Sequence, residues 1–470
     1  MAEIKFGTDG WRDLMYDHFN LTNVRRVVEA IARYTKDNQG EDRGIVVGYD
    51  ARFFSDFFAK EAADVLTGYG IKVYFSERDY PTPVIAFAVT QYRAFGAIMF
   101  TASHNPPEYN GIKFIPEYAG PASPEITKAI EANLSYQSGP EIIIKQSNPQ
   151  LITRFDPTEG YLKQLHKLIV VEAIKKAKLN LVIDPMYATG RGFLPGLFEG
   201  CPVNEIHNRR DPLFGGAMPD PQGKFLEELI ALTQSSENSI GLATDGDADR
   251  FGIVDSDGSY INANQVISLL MWHLITNRGF KGVAARSVAT THMLDRLGEL
   301  YGVEVVETPV GFKYIGEMMR TKSVIIGGEE SGGLSIQGHL PEKDGILACA
   351  LMAELRAVTG KPLLATLADL YAKVGQFFTR RLDIHLSEPA KAAILAKCRT
   401  TALERIGTVK ISETRKIDGF KFILEDGSWF LIRPSGTEPL IRIYFETNST
   451  GALEELVANV RQLVDQWGNA

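Results

Sequence analysis

The stretch Gly96-Ala-Ile-Met-Phe-Thr-Ala-Ser-His-Asn-Pro106 decides how this chain is read. Its first five residues suit a strand buried on both faces, and the next six turn abruptly to small, polar and turn-forming types. A strand that runs straight into such a loop predicts a ligand site at the carboxyl edge of an α/β sheet. The same alternation recurs upstream. Residues 44–50 (GIVVGYD) and 72–76 are predicted strands, with helices starting near Ser55 and after Pro83. Val24, Val27, Val28 and Ile31 share one face of a helix that Thr22 is expected to cap. This order predicts βαβ units around a mostly parallel sheet covered on both faces.

Downstream the rhythm restarts twice. Residues 179–184 are a predicted strand, 224–233 a helix, and 240–243 a strand leading into an acidic loop. A helix over 264–276 follows, then strands over 282–288, 303–307 and 323–326. From about Gln376 the pattern changes to helices with strand pairs over 421–424, 429–432 and 440–445. Glu425-Asp-Gly427 is a hairpin turn signal, and a helix over 453–467 closes the chain. The expected fold class is therefore α/β, with three similar α/β units and a distinct α+β C-terminal unit. The expected boundaries are 1–150, 151–256, 257–373 and 374–470. A length of 470 residues accommodates that number of domains.

Apolar residues make up 44% and charged residues 23%, which excludes a disordered, collagenous or coiled-coil chain. The net charge of −8 lacks the footprint of a nucleic-acid binder, so any anion must be met by local clusters. Cys201, Cys349 and Cys398 form no CxxC spacing and are expected to be packing residues in a reducing compartment. The opening MAEIKFGTDG has no apolar leader core, and the longest apolar run, 346–353, is far too short to span a membrane. A cytoplasmic protein with neither a nucleic-acid nor a membrane partner is expected.

Four loops carry the chemistry. In the first, Ser103 beside His104 reads either as a nucleophile with a neighbouring base or as a helix cap or turn. No G-x-S-x-G elbow is present, so a hydrolase of that type is unsupported. In the second, Asp245, Asp247 and Asp249 are hard oxygen donors suited to Mg²⁺ or Ca²⁺. An EF-hand fails, because its sixth and twelfth positions would be Arg250 and Ser256. Arg250 beside three carboxylates implies an anion as well. The third loop, 327–333 (GGEESGG), is a Gly-rich turn or a reader of hydroxyl groups through Glu329 and Ser331. The fourth, Arg433-Pro-Ser-Gly-Thr-Glu-Pro439, is an anion cradle or a plain strand–turn–strand connection. Together they match phosphoryl transfer, which needs positioning and charge neutralisation and little else. A Walker A sequence is absent, so a donor phosphate carried on the protein itself would fit.

FGTDGWR (6–12), TASHNPPEYNGIKF (101–114), DGDADR (245–250), GEESGG (328–333) and RPSGTEP (433–439), in this order, resemble the α-D-phosphohexomutases, which include phosphoglucomutases and phosphomannomutases. The resemblance implies a four-domain, heart-shaped molecule with one loop from each domain lining a central cleft. It implies that Ser103 is a phosphoserine that passes its phosphate to a hexose monophosphate, giving a 1,6-bisphosphate. Mg²⁺ would lie between the Ser103 phosphate and Asp245, Asp247 and Asp249. Arg12, His104 and Lys113 match positions around the phosphoserine, and Lys343 matches a proposed general base; the choice between Lys113 and Lys343 stays open. By the same resemblance Glu329 and Ser331 read sugar hydroxyls, and Arg433, Ser435, Gly436 and Thr437 hold the other phosphate. Arg250, Thr308 and Lys313 would line the path.

Within the family, GEESG resembles the glucose branch, where mannose-handling relatives tend to carry Met at position 330 and glucosamine ones Gln. Gly333 replaces a histidine common in those two branches, whereas Asp9 resembles the glucosamine branch. The resemblance thus implies a phosphoglucomutase using glucose 1,6-bisphosphate as intermediate and activator, acting on a small hexose phosphate as a monomer or dimer. The alternatives are a phosphomannomutase, a phosphoglucosamine mutase or a glucose 1,6-bisphosphate synthase. A non-catalytic sugar-phosphate binder is the reading from another class.

Overall fold

The computed structural model describes residues 4–7, 10–135, 146–435 and 440–468. Four sheets follow one another along the chain. The first has six strands in the order Trp11–Leu14, Tyr109–Pro116, Gly96–Phe100, Ile45–Tyr49, Val73–Ser76, Ile152–Phe155. Side chains of the central strands alternate between two cores. Ile98 and Phe100 pack with the helices Leu21–Asp37 and Ser55–Gly68, while Ala97 and Met99 face the helix Thr82–Tyr92. Both faces are therefore covered, and each large apolar side chain so buried contributes about 1.5–3 kcal/mol. The first helix is capped by Asn20, whose side chain accepts from the Asn23 N–H; Thr22 lies inside the helix. An asparagine placed just before the helix satisfies the orphan donor first.

The second sheet has the order Tyr260–Ile261, Phe251–Val254, Ser239–Thr244, Asn180–Asp184, Val203–Glu205, and the third Val305–Thr308, Val283–Ser287, Val324–Glu329, Gly333–Ile336. The expected helix over 224–233 is a short 3₁₀ turn, Gly223–Phe225, followed by the helix Glu227–Ser235. A buried helix, Gly345–Thr359, packs on both the second and the third sheet. It contains the apolar run 346–353, and its Glu354 is paired with Arg278 and His273.

The fourth sheet differs in kind. Its six strands, Phe378–His385, Leu440–Thr447, Trp429–Pro434, Phe420–Leu424, Val409–Arg415 and Arg405–Ile406, are all antiparallel. Helices Glu388–Thr400 and Thr450–Gly468 cover one face through Ile394, Leu456, Val460 and Trp467. The other face presents Trp429, Leu431 and Tyr444 to Val288 and Ala289 beside the third sheet.

Two expectations need correction. The sheets of the first three units are parallel only in part, because each also carries an antiparallel return strand: Tyr109–Pro116, Phe251–Val254 and Gly333–Ile336. The expected boundaries also fall short of the pairing. Ile152–Phe155 still pairs with Val73–Ser76 of the first sheet, and Tyr260–Ile261 still pairs within the second. Among the described residues no helix is long and apolar enough to cross a membrane.

Candidate active site

All four candidate loops join two antiparallel strands, as the strand pair expected around the fourth already implied for that one. Ser103 follows Gly96–Phe100 before the return strand Tyr109–Pro116, and residues 245–250 join Ser239–Thr244 to Phe251–Val254. Glu330–Gly332 form the turn between Val324–Glu329 and Gly333–Ile336. The fourth loop leaves Trp429–Pro434 and returns in Leu440–Thr447. A hairpin holds both ends of its loop by ladder hydrogen bonds, which suits a site that must keep its geometry.

Ser103 is buried and sits in the left-handed region at φ 51°, strain on the order of 1 kcal/mol for a side-chain-bearing residue. Its N–H donates to Thr101 Oγ1 at 2.8 Å, and its hydroxyl donates to Asp245 Oδ2 at 2.6 Å. His104 Nδ1 lies 3.4 Å from the same hydroxyl. Burial, then the nearby Arg250 and Arg12 charges, hold the His104 imidazole well below its ordinary value. Arg12 donates to Asn105 Oδ1 at 3.2 Å, within the same loop. Gly246 is what lets the two loops touch: a Cβ there would collide with Ser103 O.

Asp245, Asp247 and Asp249 are completely buried, with one oxygen from each within 4.8 Å of the others. Lys113 Nζ donates to Asp247 Oδ2 and Asp249 Oδ2, both at 2.9 Å, and Lys343 Nζ reaches the same Asp249 oxygen at 3.0 Å. Burial and the two neighbouring carboxylates push Asp245 well above the carboxylate range. Asp247 goes the other way: burial opposes its ionisation, and Lys113 with the Thr82 hydroxyl outweighs it. Asp247 Oδ1 and Asp249 Oδ1 are buried without a hydrogen-bond partner. Orphaned carboxylate oxygens on converging aspartates are what a hard divalent cation requires, so the residues fit Mg²⁺.

The remaining candidates, Arg250 apart, lie on the third and fourth loops and in the segments around them. Glu329 is buried, accepts from the Gly311 N–H at 2.7 Å, and is pushed up to about 7 by burial and by Glu330. Glu330 accepts from Ser287 Oγ at 3.0 Å and Thr290 Oγ1 at 3.3 Å. Ser331 is half-buried in the turn. Gly333 makes room for Lys343, whose side chain crosses the place a Cβ would take. Arg250 donates its backbone N–H to Asp245 Oδ1 at 3.0 Å. Thr308 spends its hydroxyl on the Arg286 and Pro309 carbonyls, and the Lys313 ammonium lies over the Tyr314 ring at 5.3 Å. Arg433 Nε donates to Asp418 Oδ2 at 2.9 Å, while Ser435 is buried with its carbonyl accepting from Lys391. Gly436, Thr437 and Asp9 lie outside the described residues.

Sequence reasoning missed three residues here. Thr82 donates its hydroxyl to Asp247 Oδ2 at 2.6 Å, and Asp418 also accepts from the Val310 N–H at 3.0 Å, tying the fourth unit to the third. Arg52, under the Ser103 loop, is the third. Its signal was present: an Asp-x-Arg immediately after the apolar strand Ile45–Tyr49.

Family descriptions match the chain in sequence: "Phosphoglucomutase/phosphomannomutase, alpha/beta/alpha domain I" over 3–139, domain II over 159–258, domain III over 262–374, and the C-terminal domain over 385–463. A phosphoglucomutase/phosphomannomutase of Thermococcus kodakarensis is 31% identical, covering 94% of each chain. A phosphoglucosamine/phosphogalactosamine mutase of Sulfurisphaera tokodaii is 28% identical over 98% of this chain and 99% of its own. The crystal structure of a candidate phosphomannomutase from Thermus thermophilus superposes with a TM-score of 0.88 at 34% identity, covering 99% of both chains. Likeness of this extent defines the class, a phosphohexomutase: an isomerase acting on sugar phosphates. The chain belongs to the phosphoglucomutase/phosphomannomutase family.

Proposed function

We propose that the protein is a phosphoglucomutase, interconverting glucose 1-phosphate and glucose 6-phosphate by way of phosphate carried on Ser103. The observation that carries this reading is the hydrogen bond from Ser103 Oγ to Asp245, inside a buried group of three carboxylates. In the forward half, the bond from phosphorus to Ser103 Oγ breaks and a new one forms to the free sugar hydroxyl. That hydroxyl's proton ends on Ser103 Oγ, through a carrier in the site. The glucose 1,6-bisphosphate then turns round, its other phosphate returns to Ser103, and the proton goes back to the vacated sugar oxygen.

Asp245, Asp247, Asp249 and the Ser103 phosphate would hold Mg²⁺, which when bound neutralises the charge of the group in transfer. Lys113 and Lys343 are the two candidate proton carriers, and both end on Asp249 Oδ2. Arg12 and His104 orient the Ser103 loop and its phosphate. Glu329 and Ser331 would accept and donate to sugar hydroxyls, and a wrong epimer would leave a buried polar group unpaired. Arg433, Ser435, Gly436 and Thr437 would hold the phosphate that is not being transferred, with Arg250, Thr308 and Lys313 along the path. The glucose assignment is supported by Glu330 and Gly333. A phosphomannomutase is the second reading, favoured by the Thermus neighbour.

A substrate panel tests this. Purified protein with Mg²⁺ and a trace of glucose 1,6-bisphosphate is offered the 1-phosphates of glucose, mannose and glucosamine in parallel. The highest kcat/KM is expected for glucose 1-phosphate; a preference for mannose 1-phosphate replaces the assignment with the second reading.

A further inference from the structure

We infer that Arg52 is the positioning residue of the Ser103 loop, setting the direction in which the serine hydroxyl points. The inference rests on the reading of Ser103 as phosphate carrier.

Arg52 is completely buried, three residues beyond the strand Ile45–Tyr49. Its guanidinium gathers four carbonyls from one short stretch of chain. Nη2 donates to Ser103 O and Asn105 O, both at 2.6 Å, and Nη1 donates to Pro106 O at 2.7 Å and Tyr109 O at 3.1 Å. The dipoles of four converging carbonyls repel, and the charge and N–H groups of the guanidinium offset that repulsion. With those oxygens turned inward, Ser103 is left in its left-handed conformation with the hydroxyl aimed at Asp245. A planar fork with several fixed donors can do this; a lysine, with all its donors on one nitrogen, cannot span the four positions.

The fork is itself anchored. Asp50 Oδ2 stands 3.2 Å from Nε, while Asp50 Oδ1 accepts from the Arg52 N–H and the Ser55 hydroxyl. The second unit closes the other side. The Phe214 ring lies 5.0 Å from the guanidinium carbon, and Arg210 donates to the Ala51 and Arg52 carbonyls. Ser103 O is thus held between the Arg52 guanidinium and the Gly246 backbone, so the serine loop and the aspartate loop take their mutual position from this contact.

The test compares wild type, Arg52→Lys and Phe214→Leu by two measurements. The first is hydrogen exchange of the backbone over residues 101–109, in protein without phosphate. The second is the single-turnover rate of phosphate transfer from Ser103 to glucose 1-phosphate, corrected for the folded fraction. Arg52→Lys is expected to quicken the loop's exchange and slow the saturating single-turnover rate about 100-fold, with the glucose 1-phosphate concentration for half that rate nearly unchanged, the cost of a nucleophile displaced by about 1 Å. Phe214→Leu keeps every hydrogen bond of the fork and is expected to show the same pair of changes, several-fold in size. Should Arg52→Lys not fold, Phe214→Leu carries the decision. Faster exchange with an unchanged transfer rate makes Arg52 merely structural and overturns the inference, as does unchanged exchange. Wild-type protein that takes up no phosphate from glucose 1,6-bisphosphate, read by intact mass, defeats the proposed function instead. The exchange data would still decide whether Arg52 holds the loop.

Discussion

Ser103 Oγ and Asp245 Oδ2, 142 positions apart in the chain, are joined by a 2.6 Å hydrogen bond between two hairpin loops of different sheets. Nothing local to either residue produces this bond. It depends on Gly246 passing without a side chain under Ser103 O and on Thr82 of the first unit holding Asp247 of the second.

Replacement of the serine tests the bond's chemical meaning. Ser103→Ala removes the phosphate carrier while leaving the loop's carbonyls on Arg52. Interconversion of glucose phosphates is expected to fall on the order of 10³-fold or more with the fold intact. Intact mass should show phosphate uptake in wild type and none in the variant. Full activity in Ser103→Ala would end the phosphoserine reading.

Gly246→Ala is expected to drive the two loops apart, since its Cβ would meet a carbonyl oxygen that Arg52 already fixes. Overpacking of this kind costs about 1–3 kcal/mol. A lowered thermal midpoint together with a kcat loss larger than the unfolded fraction explains is the expected result. An unchanged midpoint and kcat would show that the loops do not depend on this approach.

The metal site makes a thermodynamic prediction. Mg²⁺ binding only the folded chain, at 100 times its Kd, stabilises it by about 2.7 kcal/mol. Calorimetric titration of wild type should show one site. Asp247→Asn should weaken it strongly, because it removes a carboxylate from a cluster whose charge Lys113 and Lys343 already offset in part. Equal Mg²⁺ affinity in Asp247→Asn would remove Asp247 from the ligand set.

Glu329 gives a pH signature. Its carboxyl is pushed up to about 7 from an ordinary 4.5 by burial and by Glu330. Between those two values the folded chain keeps a proton that the unfolded chain has lost, so this group's contribution to stability declines as pH rises through that window. For the sugar the direction is opposite, because the ionised form accepts hydroxyl protons best. KM for glucose 1-phosphate is expected to fall as pH rises through about 7. Glu330→Gln should move that limb to lower pH, and Glu329→Gln should abolish it at a cost of about 10- to 100-fold in kcat/KM. A limb that survives in Glu329→Gln belongs to another group.

The elements most visible in the sequence were those with one strong period: Ile45–Tyr49, Gly96–Phe100 and the helix Leu21–Asp37. The return strands Phe251–Val254 and Gly333–Ile336 escaped because four residues each are too few to show a period. Tyr109–Pro116 carries Asn110 and Lys113 toward buried partners, which disguises it as a loop. Five motifs named the chemistry, and the structure brings Ser103, the three aspartates, Lys113 and Lys343 together in one buried group. It turns Thr308 and Lys313 to local partners instead.

By itself, then, the sequence determined four successive units, a serine loop, a carboxylate trio and the family they belong to, because these are written in contiguous stretches. The tertiary structure alone decided that the first three loops, like the fourth, close strand-to-strand hairpins. It also decided that two lysines share one Asp249 oxygen, and that Arg52 gathers four carbonyls beneath Ser103. Such relationships join residues tens to hundreds of positions apart. They exist only once packing between the sheets has excluded water and left each buried charge to find its partner.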